Sequence, residues 1–402
     1  MKILFLSIGK IQHISEFSIY SDLLRSLCLD GHDVYSVFPN EKRTDEITLV
    51  GQECGVHVLR VKTGNLTQCN FIEKGISMLL VEGQYKKAIK KFFKGVKFDL
   101  VIYTTPPITL TGVIQWIKKR DGARSYLMLK DIFPQNAVDL GILSKKGLKG
   151  IIYRYFRAKE KRLYALSDKI GCMSQANVDY VIRNNPEIDP SKVEIFPNCI
   201  EVRDLSLSEE ERKAMRIKYD IPLDKKVFVY GGNLGRPQGV PFIMECLQRE
   251  KDNKDAFFLI VGNGTEFSKF EIFMKEADLP NARLMKRLPK EDYDRMIGAC
   301  DVGLIFLDYR FTIPNFPSRL LSYMQAKLPV LACTDPNTDI GDVIEQGGFG
   351  WQCRSNDVEE FYNRIAEIVA QEDLSGYKTA AYAYLREHYS VERECQKLLK
   401  AD

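Results

Sequence analysis

The chain has 402 residues, too many for one hydrophobic core and suited to two domains of about 150–200 residues each. Apolar residues make up 45% and charged residues 28%, the balance of an ordinary soluble globular protein, and no apolar run reaches the roughly 18 residues of a membrane-spanning helix. The net charge of +4 conceals an asymmetry, because residues 1–200 hold 30 Lys and Arg against 20 Asp and Glu whereas the rest holds 28 against 34, so the halves are expected to meet different partners.

The first residues, MKILFLSIGK, carry a short apolar run without a small-residue cleavage pattern and read as a strand, not a secretory signal. An amphipathic helix over 17–32 follows, then strands at 33–39 and 56–61. FDLVIYTTPP (98–107), RSYLMLKDIFP (124–134), KIGCMS (169–174) and VEIFPN (193–198) are further strands. After the charged, helix-prone connector SLSEEERKAMRIKYD (206–220) the alternation restarts. Strands are expected in 226–235, 256–265, 282–288, 301–307 and 329–334, with helical segments between them. YLREHYSVERECQKLLK (384–400) reads as one final helix. Two alternating halves imply two doubly wound parallel sheets, with ligands beyond the carboxyl ends of the strands and in the cleft between the domains. The ten cysteines are scattered with no C-x-x-C pair and there are four histidines. This argues against zinc and a disulfide framework and for reduced thiols in a cytoplasm.

Three strand ends in the second half suit an anion. YGGNLGRPQG (230–239) lets the backbone approach a ligand at its glycines, and Arg236 offers a fixed charge able to grip a phosphate, although the same residues would serve a tight turn with a solvated arginine. GNGT (262–265) is the second. The third is IPNFPSRLLSYMQAKLPVLA (313–332), where Ser318 and Arg319 open a short helix; Ser318 as a simple cap and Arg319 as a solvated side chain are the plainer reading. No G-K-[ST] and no G-x-G-x-x-G is present, which excludes a P-loop and makes a dinucleotide site unexpected.

These stretches resemble the retaining glycosyltransferases of family 4, which have the GT-B fold of two Rossmann-like domains. GHDVYSV (31–37) resembles that family's helix-to-strand junction and FPNCIEV (196–202) its P-N-G-V-D segment between domains. FVYGGNLGRPQGV (228–240) is similar to its diphosphate loop, and SRLLSYMQAKLPVLA (318–332) to its S-K-x-x-E-Y-M-A-x-G-K-P-V-L stretch. LKDIFPQNA (129–137) resembles the R-D-L-W-P-E-S strand of bacterial O-antigen and capsule transferases similar to N-acetylfucosamine transferases.

The resemblance implies a nucleotide diphosphate sugar as donor, UDP favoured over GDP, with an N-acetylated hexosamine or deoxyhexosamine in view and no metal or other cofactor. It implies that Gly232, Asn233, Gly235, Arg236, Gln238, Ser318 and Arg319 hold the diphosphate. Lys286, Arg287, Leu288, Asp308 and Ser322 would hold nucleoside and sugar. His13 and Asp131 would serve the chemistry, with Lys130 and Gln135 on the acceptor side. The expected domains are 1–198 for the acceptor and 199–379 for the donor, with a helix at about 380–402 returning to the first. The chain departs from the pattern where the family has a pair of glutamates: those positions fall on Pro314 and Ser322, and Asp308 is the candidate substitute.

The basic segments 75–97 and 145–162 suit the acceptor side. In the first, Ile76, Leu79, Leu80, Ala88, Ile89, Phe92, Phe93 and Val96 are expected to share one apolar face flanked by lysines, packed in a core or laid on anionic lipid. A polyprenyl-diphosphate-linked glycan at the inner face of the cytoplasmic membrane would account for both segments, and no nucleic-acid module is recognisable. The reading is a cytoplasmic, peripheral membrane glycosyltransferase of surface polysaccharide synthesis. The alternatives are a 2-epimerase-like nucleotide-sugar isomerase on the same fold and a catalytically silent partner of an active transferase.

Overall fold

The structure, a computed structural model, describes residues 1–9, 11–67 and 69–400, with the side chains of Phe71 and Ile72 outside the description. The chain divides into two compact units. One comprises residues 1–201 and the segment from Val391 onward, and the other is Val202–Ser390.

The first unit is built on β1 (Lys2–Leu6), β2 (Asp33–Glu41), β3 (Leu49–Glu53), β4 (Val56–Thr63), β5 (Leu100–Thr104), β6 (Arg124–Leu129), β7 (Lys169–Cys172) and β8 (Val193–Ile195). Their order across the sheet is β3-β4-β2-β1-β5-β6-β7-β8, and all neighbours are parallel except the antiparallel edge pair β3–β4. β3, LVGQE, escapes the sequence reading because it carries neither a continuous apolar run nor a buried face. Ile3 and Phe5 join a buried cluster with Leu23, Leu24 and Leu27 of helix Ile19–Leu29 and with Val391, Cys395 and Leu398 of helix Val391–Leu399. Leu4 and Leu6 point the other way by the pleat and are equally buried. Both faces are therefore covered, as continuous apolar strands require.

The second unit contains β9 (Lys226–Asn233), β10 (Ala256–Asn263), β11 (Ala282–Lys286), β12 (Val302–Phe306), β13 (Val330–Thr334) and β14 (Gly350–Arg354), in the order β11-β10-β9-β12-β13-β14 and parallel throughout. It opens with helix Glu209–Lys218, whose Ser208 and Glu211 form a reciprocal capping box. Successive strands leave β9 in opposite directions, so the switch point lies between β9 and β12. There the pairing is short, Val302 opposite Phe228 and Gly303 opposite Val229. Tyr323, on helix Arg319–Gln325, fills the gap: its hydroxyl accepts from the Gly231 N–H at 3.0 Å and lies 3.2 and 3.1 Å from the Val229 and Leu304 carbonyls. Burial pushes this phenol up to about 12, so it keeps the proton it donates. The ring sits where residue 303 can have no side chain, since a Cβ there would lie 2.5 Å from it.

Two sequence expectations fail here. Helix Phe71–Phe92 buries Val81, Tyr85, Ala88 and Ile89, with Phe93 just past its end, but leaves Ile76, Leu79 and Leu80 exposed. At 100° per residue these three lie opposite the buried row, so the expected single apolar face is two faces. The expected final helix over 384–400 is broken into Ser375–His388, in the second unit, and Val391–Leu399, in the first. The Val391 N–H turns out of the helical pattern to the carbonyl of Ile200 at 2.9 Å. All ten cysteines are free thiols.

Gly303→Ala should force the Tyr323 ring out of the switch point and cost about 1–3 kcal/mol. Urea unfolding of the variant checks this; an unchanged midpoint would show that the ring moves freely.

Candidate functional site

The elements that position the candidate donor site are the ends of β9 and β12 and the start of helix Arg319–Gln325. Gly232, next to last in β9, has a φ of 135° that suits glycine, and a Cβ there would lie 3.3 Å from the Arg319 guanidinium carbon. That guanidinium stacks over the Tyr230 ring at 4.5 Å from its centroid. Its Nη1 is buried and has no hydrogen-bond partner among the described residues. A buried, unsatisfied charged donor is costly, and the usual reason to retain one is a ligand that completes it. Tyr230, Tyr293 and Tyr323 surround Arg319; Tyr293 occupies the space where a Cβ on Gly231 would come within 1.8 Å of its hydroxyl. These three tyrosines escaped the sequence reading, although Tyr230 and Tyr323 stand inside the two stretches that it singled out.

The diphosphate-loop candidates organise one another. Gln238 accepts from the Gly235 N–H at 3.2 Å and from the Asn233 amide at 3.0 Å. Asn233 and Gln238 are thus loop braces, while Arg236, first in the turn Arg236–Gln238, is exposed and its guanidinium makes no hydrogen bond or ion pair among the described residues. The turn is anchored to the next strand end by the Asp308 N–H, which donates to the Pro237 carbonyl at 3.0 Å. Ser318 is exposed and its hydroxyl makes no capping bond. In GNGT, a Cβ on Gly262 would lie 1.9 Å from the Gly232 carbonyl, so this glycine is required by the packing of adjacent strand ends.

Asp308 is buried, but its carboxylate is already taken by Arg310, at 2.8 Å to Nε and 2.7 Å to Nη2. Burial pushes this carboxyl up, yet the Arg310 side chain and N–H outweigh it and hold the group below the usual aspartate range. It is an ionised, paired turn former at the switch point. Ser322 is half-buried on helix Arg319–Gln325 and Pro314 is buried, so neither position expected for a glutamate supplies a carboxylate. Lys286 ends β11, the outermost strand; Lys286 and Arg287 are exposed and Leu288 is half-buried, on the same edge but two strands out from β9.

In the first unit Asp131 follows β6, and its carboxylate accepts from the Asn136 amide at 2.7 Å. Burial pushes its pKa up to about 6 against the pull of the Asn136 amide and the Ile132 N–H. Lys130 points elsewhere, its ammonium 3.3 Å from the Pro197 carbonyl. Burial pushes it down to about 8, opposed by Cys199 and by Glu394 of helix Val391–Leu399. Gln135 bonds Asp139 at 2.6 Å. The exposed His13 makes no contact with Asp131; it lines a separate polar cavity of about 400 Å³ with Asn40, Glu41, Arg43, Glu46 and Arg60. Glu53 and Arg60 pin its loop. Arg60 donates to the Ile11 and Gln12 carbonyls at 2.8 and 2.6 Å, and the Glu53 carboxylate accepts from the Ile14 N–H at 2.9 Å and from Arg60 at 2.6 Å. Among the described residues no three His, Cys, Asp or Glu converge as a metal site would need.

Arg60→Ala should loosen this loop and speed hydrogen exchange at the Ile14 amide about tenfold, the effect of losing one or two net hydrogen bonds. Wild-type exchange there would show that the loop holds itself.

Residues 211–384 match the family model described as Glycosyl transferases group 1. "Probable glycosyltransferase WbjE" of Pseudomonas aeruginosa is 27% identical over 303 residues, 75% of this chain and 74% of that protein. WcaI of Escherichia coli (strain K12), whose name assigns it to glycosyl transfer in colanic acid biosynthesis, is 24% identical over 62% of this chain and 60% of its own length. The structure of Anabaena HepE in complex with UDP-glucose superposes with a TM-score of 0.72 at 13% identity, over 99% of this chain and 98% of that one, a likeness of fold. The chain is therefore a glycosyltransferase of the GT-B fold, with a group 1 glycosyltransferase domain over residues 211–384.

Proposed function

We propose that this glycosyltransferase moves a sugar from a nucleotide diphosphate donor, a UDP-sugar, to a lipid-linked glycan in bacterial surface polysaccharide synthesis, with retention at the anomeric carbon. The observation that carries the donor reading is the Arg319 guanidinium, whose buried Nη1 lacks a hydrogen-bond partner among the described residues, beside the side-chain-free Gly232 at the sheet's switch point. Arg236, unpaired on the adjacent turn, supplies a second positive charge. Two guanidinium groups aimed at the departing diphosphate stabilise charge that grows as the glycosidic bond to it breaks, and this is the main rate lever available to the site. HepE was solved with UDP-glucose, which supports uridine as the base; WcaI's name supports a surface polysaccharide as the product. Lys286, Arg287 and Leu288 are assigned to the nucleoside and Ser322 to a sugar or ribose hydroxyl, a weaker hold than a carboxylate gives.

On the acceptor side Asp131, with Lys130 and Gln135 flanking it, orients the attacking hydroxyl by accepting its hydrogen bond. This needs the carboxylate form, which prevails above a pKa of about 6. The same raised pKa means that folding favours the protonated form, so its contribution to stability is greatest at low pH and fades as pH rises through 6. Activity and stability therefore run in opposite directions across this window.

The donor assignment is tested with Arg236→Ala, an exposed site where folding is not at stake. UDP binding, read by thermal shift or calorimetry, should weaken by about 1.5–3 kcal/mol, roughly 10- to 150-fold. Wild-type affinity in the variant, or no UDP binding by the native chain, would sink the reading. For Asp131, turnover at limiting acceptor should fall below pH 6, and Asp131→Asn should be slow and flat across that range. A variant that keeps the acid limb would move the titration to another group.

A further inference from the structure

We infer that the first unit seats on an anionic lipid surface by the starts of two helices, Phe71–Phe92 and Gly147–Leu166. The outward side of each is built alike. The early turns are apolar: Ile76, Leu79 and Leu80 are 55–58% exposed on the first helix, and Leu148, Ile151, Ile152 and Tyr155 are 42–83% exposed on the second. The later turns of the same side are basic, with Lys87, Lys90 and Lys91 on one helix, Lys94 just past its end, and Lys159 and Arg162 on the other. Helical spacing puts these groups in one row on each helix. At 1.5 Å per residue the charges begin about 10 Å beyond Leu80 on the first helix and about 6 Å beyond Tyr155 on the second.

The topology sets the two rows on one flank of the sheet and at one level. Each helix leads into a strand of the parallel sheet, β5 and β7, so both run against the strands and begin at the carboxyl edge. Helix Thr111–Asp121 lies between them. Its Val113 N–H bonds the Glu82 carboxylate at 3.2 Å, and its Gln115 accepts from Arg162 at 3.0 Å. The result is a seven-residue apolar margin at the carboxyl edge with basic residues behind it. Lys87, Lys90, Lys91 and Lys94 have no ion pair among the described residues, and Lys86 and Lys90 lie over the Trp116 ring at 5.6 and 5.3 Å. An aqueous surface has no use for a margin of exposed Ile and Leu. Charge complementarity selects the occupant: apolar tips enter the acyl boundary while the lysines stand at the level of the lipid phosphates. The same edge carries Asp131 at the end of β6, so a lipid-linked acceptor would be presented where this residue lies. The inference deepens the lipid-linked acceptor proposed above and stands on separate residues.

The test is co-sedimentation of the full chain with vesicles of phosphatidylcholine alone and of phosphatidylcholine with about a quarter phosphatidylglycerol, where each well-placed lysine strengthens binding several-fold. The native chain should bind only the anionic vesicles. Lys87→Gln with Lys90→Gln and Lys91→Gln should weaken binding roughly a hundredfold, and Leu79→Asp with Ile151→Asp more than tenfold. All five sites are on the surface, so thermal melts should be unchanged. Equal binding to neutral vesicles, or native-like binding by both variants, overturns the inference. So does a native chain that ignores vesicles but forms a dimer that Leu79→Asp dissociates, which would make the face a contact between copies. Loss of UDP binding with intact vesicle binding would instead remove the donor reading alone.

Discussion

The second unit depends on how a parallel sheet ends its pairing where successive strands leave in opposite directions. β9 and β12 share a short ladder and then part, exposing backbone groups that a buried sheet must satisfy. The Tyr323 hydroxyl satisfies them, its ring needs the room that Gly303 leaves, and Gly231 leaves room for the Tyr293 ring. The same helix that brings Tyr323 into the gap starts with Arg319, so the device that closes the sheet also delivers a guanidinium to the strand ends at the switch point. Gly232, lacking a side chain, leaves that guanidinium approachable.

The first unit solves a different problem. Its sheet is buried on both faces, and adjacent residues after β6 carry an acid and a base in surroundings poor in water. Chain alternation separates them, Asp131 toward the Asn136 amide and Lys130 toward the Pro197 carbonyl. Unable to pair with each other, both titrate toward neutrality, the acid upward and the amine downward. A carboxyl poised near pH 6 can hold or release a proton under ordinary conditions, which an exposed aspartate cannot.

Much of the fold was legible because a parallel strand covered on both faces is a continuous apolar run, and KILFL, LVIYT, AFFLIV and VGLIF are such runs. β3 was not legible, because an exposed edge strand is specified by its partner β4 and not by its own pattern. The outward apolar trio Ile76, Leu79 and Leu80 was misplaced for a related reason: hydrophobicity alone places a residue on a helix but not on the side that meets the sheet. The candidate site was proposed from its glycine and arginine positions, which stand out in the sequence. It was not legible in Tyr293, whose role arises from a contact 62 residues away from Gly231 in the chain.

The sequence by itself determined two alternating α/β halves, the loop at 230–239 and the helix start at Arg319, since each is encoded by local spacing and by residue types with one backbone use. Tertiary structure alone decided which charges are spent and which are open. Asp308 and Arg310 neutralise each other, Asn233 and Gln238 brace their own loop, and Arg319 keeps a buried donor with no hydrogen-bond partner among the described residues. Pairing of this kind is settled by distances of a few ångströms between groups that chain order leaves unspecified, and Coulomb and hydrogen-bond energies fall away over that range.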